Sequence, residues 1–105
     1  MRVTLLKRSS TKAERRFYEI LKRNHIPFRF REKVCAREID FLIGNIAVEI
    51  GNHSQDIAKN KRVIEAGYSM LFFSNREIAE DIATVEKHLL NNWLQYGKSI
   101  KSNTC

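Results

Sequence analysis

The stretch 38-EIDFLIGNIAVEIG-51 constrains the fold of this chain more than any other. Two apolar runs flank Gly44-Asn45, and a glycine in the first position of a two-residue turn signals a type II′ β-hairpin. That turn sets the register: Ile43 faces Ile46, Leu42 faces Ala47, Phe41 faces Val48, and Asp40 faces Glu49. Side chains alternate across a sheet, so Ile39, Phe41, Ile43, Ile46, Val48 and Ile50 are expected on one apolar face. Asp40 and Glu49 then share the other face, with Cβ atoms about 4.5–5.5 Å apart. Like charges placed opposite each other destabilise a strand pair, so the arrangement calls for a reason. A bridging Mg²⁺ (or Mn²⁺) supplies one, because such ions take one or two carboxylates plus waters and phosphate. A solvated outer face is the plainer alternative, and a register slip of one residue would separate the acids.

The rest of the chain supplies elements around this hairpin. Thr11 with Glu14 three residues later reads as a capping box. Ala13, Phe17, Ile20 and Leu21 then form one helical stripe that Pro27 ends. The run 28-FRFREKV-34 alternates, predicting a strand with Phe28, Phe30 and Val34 on one side and Arg29, Arg31 and Lys33 on the other. Asp56 to Ala66 reads as a helix closed by Gly67, with Asp56 as its cap. The continuous apolar run 69-SMLFFS-74 reads as a strand buried on both faces. Ser74 and Glu77 repeat the capping spacing before a helical pattern that runs to about Tyr96, with a break expected near Thr84. Trp93 and Tyr96 read as core and rim.

The predicted order is α-β-β-β-α-β-α, a single α/β domain over residues 1–96 with a mixed sheet flanked by helices, followed by a loose basic tail at 97–105. The strand-helix-strand step from 46 to 73 predicts a right-handed parallel crossover.

Composition narrows the function. The 105 residues carry 19 Lys and Arg against 12 Asp and Glu, a net charge of +7. For one small domain this favours a polyanionic partner such as nucleic acid. No apolar run approaches the roughly 20 residues that span a bilayer, and the opening MRVTLLKRSS is charged too early for a secretory signal. Cys35 and Cys105 fit neither a disulfide framework nor a zinc site, so free thiols in a reducing cytoplasm are expected.

Taken in order, Glu14 with Phe17 and Leu21, then 39-IDF-41, then 48-VEIGNH-53, then 56-DIAKNKRVIEAGYSMLFFSNREI-78 resemble the PD-(D/E)xK nuclease superfamily. The likeness is greater to its small Vsr-like and EDxHD-type endonuclease domains, and it covers about residues 11 to 95. It implies a restriction-endonuclease-like core that hydrolyses DNA with Mg²⁺ or Mn²⁺, by nicking or by structure- or mismatch-directed cleavage. Asp40 and Glu49 become metal ligands, and Glu14 a helix acid that orients a bound water or a basic side chain. For Glu14, the capping role stands beside this one.

The chain departs from the pattern at Gly51, where the superfamily usually has lysine and the small relatives an acid. If the hairpin register continued, Glu38 would lie opposite and partly fill the gap. His53 is the candidate substitute, a general acid or base by analogy with the histidine of the small relatives. Arg29, Arg31, Lys33, Arg37, Lys59 and Lys61 are candidate phosphate contacts, with solubility as their alternative role. A domain this small would draw specificity from its own loops, from a homodimer or from a partner protein. Two rivals remain: a nucleic-acid-binding module that has lost catalysis, as Gly51 suggests, and an RNA-directed nuclease.

Overall fold

The computed structural model describes residues 11–51 and 57–97. The element order is α1 (Lys12–Arg23), β1 (Arg29–Val34), β2 (Arg37–Ile43), β3 (Ile46–Ile50), α2 (Ile57–Glu65), β4 (Ser69–Phe73), α3 (Asn75–Glu80) and α4 (Ile82–Asn92), with a π-helical turn at Trp93–Gly97. The expected α-β-β-β-α-β-α order holds, and the final helix is divided at Asp81 rather than near Thr84. The sheet runs β1-β2-β3-β4, antiparallel except for the parallel β3–β4 pair.

Helices cover both faces. Phe17, Ile20 and Leu21 of α1 meet Ile78, Val85 and Leu89 of α3 and α4 over Phe41, Ile43, Ile46, Val48 and Ile50. On the other face Val63 of α2 packs with Ala47, Ile39 and Val34. Phe41 is the hub of the first layer, its ring centroid 5.0 Å from that of Phe17, 5.3 Å from Phe30 and 5.4 Å from Phe28. Trp93 packs against the same layer, as expected of a core residue.

Local chemistry accounts for the boundaries. Both capping boxes form: Thr11 and Ser74 each accept a backbone N–H from the glutamate three residues on, which bonds back in return. Asn24 ends α1, and its side-chain amide donates to Glu86 of α4 at 2.7 Å, beside an Arg23–Glu86 ion pair of the same length. Asn24, and then Arg23, hold the Glu86 carboxyl below its usual range. This tie is therefore present above the unfolded carboxylate range and is lost as acid protonates Glu86.

Four expectations need correction. β4 is an edge strand rather than one buried on both faces, and Phe72 is 40% exposed. Val34 and Ile39 lie on the α2 face, away from Phe30 and Phe41. Alternation slips in both strands at one level: Arg31 adopts a positive φ of 54°, and the β1–β2 register skips the Arg31–Asp40 pair while keeping every pair on either side. Finally, Cys35 is disulfide-bonded rather than a free thiol.

The β1–β2 turn has positive φ at both central residues, Cys35 (52°) and Ala36 (65°), the type I′ geometry. A left-handed alanine costs about 1–2 kcal/mol, whereas glycine there pays only chain entropy. Ala36→Gly is therefore expected to stabilise the protein by about 0.5–1 kcal/mol in urea unfolding. A loss of stability would contradict the turn.

Candidate functional site

The β2–β3 hairpin is built as its turn residues demand. Gly44 has φ of 57° and Asn45 does not share a positive φ, the type II′ pattern, and Phe41–Val48, Leu42–Ala47 and Ile43–Ile46 pair as expected. The ladder then stops, and at the next level side chains take over from backbone. The Asp40 N–H donates to Glu49 Oε2 at 2.9 Å, and the Ile50 N–H donates to Asp40 Oδ2 at 2.8 Å. Each acid thus caps a backbone amide of the opposite strand. Asp40 and Glu49 are both buried.

The solvated-face alternative therefore fails: both acids are buried, and each bonds the backbone of the opposite strand near the end of β3. Each has one oxygen on an amide hydrogen bond, which also serves the fold. Arg37 joins them: its Nη2 lies 3.0 Å from Glu49 Oε1, with side chains 10% and 7% exposed. The slip at Asp40 explains this approach. It moves Ile39 to the face that carries Ala47, and by alternation Arg37 follows Ile39 to the face on which Glu49, two residues from Ala47 in β3, already lies. Arg37, a candidate phosphate contact by sequence, is thus bonded to Glu49, a partner that simple alternation does not give it.

The other predicted residues divide into three groups. Glu14 is buried, bonds the Thr11 N–H at 2.8 Å, and lies 3.7 Å from Arg31. Its capping role is real, and it also neutralises a strand arginine whose guanidinium lies over the Phe30 ring. Arg29, Lys33 and Lys61 are exposed, Arg29 in an ion pair with Glu32. His53, Asp56 and the Lys59 side chain lie outside the described residues.

Glu38 does not fill the gap at Gly51. It is exposed and pairs with Lys33 of β1, while the Gly51 N–H bonds to Phe73 O of β4 at 3.0 Å. Gly51 has φ of 111°, a conformation that a residue with a Cβ reaches only at a cost of about 1–3 kcal/mol. The backbone path thus explains why no lysine stands there. Gly51→Lys, which places a basic side chain at this strand end, is expected to lose about 1–3 kcal/mol of stability without raising any cleavage activity. A stable and more active variant would refute that explanation.

Among the described residues no group of three or more His, Cys, Asp or Glu side chains converges as a metal cage. Two adjoining carboxylates nonetheless suit a cation that keeps its waters and takes further oxygens from a phosphate.

A search of solved structures finds the catalytic domain of the homing endonuclease I-Bth0305I, with a TM-score of 0.70 and 27% identity, over 83% of this chain and 98% of that one. The chain has the fold of a nuclease domain. No family model matches the sequence, and no curated protein does.

Proposed function

We propose that the chain is a divalent-cation-dependent endonuclease acting on DNA. The observation that carries this reading is the likeness to a homing endonuclease catalytic domain across nearly all of that domain, in a fold that buries Asp40 beside Glu49. The net charge of +7 supports a polyanionic substrate. The PD-(D/E)xK resemblance, in its Vsr-like and EDxHD-type forms, supports the roles given to the individual residues.

In this reading Asp40 and Glu49 hold Mg²⁺ or Mn²⁺, which when bound activates a water and offsets charge on the phosphate. The amides of Asp40 and Ile50 orient the two carboxylates, so the pair is preorganised by the sheet. Glu14 holds Arg31 close to the slip in β1. His53 serves as general acid or base. Arg29, Lys33, Lys59 and Lys61 track the backbone without reading bases.

A second reading, a binding module without catalysis, draws on Gly51, whose positive φ disfavours a lysine. The test is cleavage of supercoiled plasmid, branched duplex and single-stranded RNA in parallel, with Mg²⁺ or Mn²⁺ and with chelator. Metal-dependent cleavage of DNA is expected. RNA cleavage with intact DNA would overturn the substrate class, and binding without cleavage of either would favour the second reading.

A further inference from the structure

Arg37 brings a largely buried guanidinium to Glu49 and leaves one of its donors, Nε, unused among the described residues. Its Nη2 bonds Glu49 Oε1 at 3.0 Å, the side chain is 10% exposed, and its Nε has no partner among the described residues. A buried, unpaired donor costs about 1–3 kcal/mol, so the placement is expensive if the ion pair is its whole purpose. The oxygen it occupies matters too. Glu49 Oε2 accepts the Asp40 N–H, and Arg37 occupies the other oxygen, Oε1.

We infer that Arg37 is an exchangeable counter-cation of the carboxylate pair: it neutralises Glu49 in the metal-free protein, releases Oε1 to a divalent cation, and then donates its fork to the phosphodiester. This rests on the proposed cation site. Two adjacent buried carboxylates repel each other, and a guanidinium at Glu49 stabilises them until metal arrives. Once released, the planar fork matches two phosphate oxygens, and the unpaired Nε gains an acceptor. The basic group that the resembled superfamily carries as a lysine at this strand end would thereby come from β2, where the positive φ of Gly51 disfavours one from β3.

The inference separates two quantities that a plain ligand or a plain structural residue would move together. Arg37→Gln removes the competitor, so Mn²⁺ should bind about tenfold tighter by calorimetry, the scale of one charge-assisted hydrogen bond. Mn²⁺ should also raise the melting temperature of this variant more than that of wild type. At saturating Mn²⁺ the variant should cleave DNA roughly 10–100-fold more slowly, for loss of the phosphate contact. Arg37→Lys keeps the charge without the fork and guards against misfolding of the glutamine variant; its Mn²⁺ affinity should fall between the other two.

Glu49→Gln makes the outcomes distinguishable. Mn²⁺ binding that Glu49→Gln abolishes but Arg37→Gln leaves unchanged or weakened would overturn the role of Arg37 alone. Absence of Mn²⁺ binding in wild type and every variant would overturn the cation site, and the inference with it.

Discussion

Asp40→Asn is expected to lower metal-dependent DNA cleavage by roughly 10²–10⁴-fold, the equivalent of several kcal/mol of charge stabilisation. Asparagine is the informative replacement because it separates chemistry from architecture. Asp40 Oδ2 accepts the Ile50 N–H at 2.8 Å, and an amide oxygen can accept the same bond. The charge is lost while the strand-end cap remains. Alanine would remove both, leaving the buried Ile50 amide without its acceptor at a cost of about 1–3 kcal/mol, and a fall in rate could then be blamed on the fold. The check is initial cleavage rates on duplex DNA, with circular dichroism to confirm an unchanged structure. A rate within a few-fold of wild type would mean that Asp40 serves the sheet alone.

The second large effect concerns the platform beneath the site. Phe41 follows Asp40 directly, is fully buried, and touches the rings of Phe17, Phe28 and Phe30. Phe41→Ala is expected to cost about 3–5 kcal/mol, the range for truncating a buried phenylalanine. A typical domain has only about 5–15 kcal/mol in hand, so the variant should unfold at far lower urea concentration. Phe41→Leu, which keeps much of the volume, should lose less. Since Phe41 anchors the last β2–β3 ladder pair before the acids, truncation there should also impair cleavage. A loss below about 1 kcal/mol for the alanine variant would contradict the ring cluster as the centre of the core.

How far the site could be read in advance turns on a few residues. Gly44-Asn45 determined the hairpin because a two-residue turn has few geometries, and the register through Phe41–Val48 follows from it. Asp40 and Glu49 were expected to continue that ladder, but the register ends at Phe41–Val48. What lay beyond was not legible, because past Phe41 the strands are joined through carboxylates instead of amide–carbonyl pairs. The paired slip at Arg31 and Asp40 leaves no trace in alternation: Phe30, Val34, Ile39 and Phe41 keep even spacing although they divide between two faces. That slip brings Arg37 to Glu49, so the site's arginine could not be told from its neighbours. The run 69-SMLFFS-74 misled because continuous apolarity does not distinguish a central strand from a partly exposed edge strand. Gly51 was visible as a departure, and only its φ of 111° gave the reason.

If the buried Asp40 and Glu49 carboxylates hold the catalytic cation, nicking of supercoiled plasmid across a Mg²⁺ titration separates wild type from Glu49→Gln. Nicking should rise with Mg²⁺ in wild type, stop with chelator, and fall to background in the variant. Nicking by both proteins alike, or by neither at any Mg²⁺ concentration, would contradict that role.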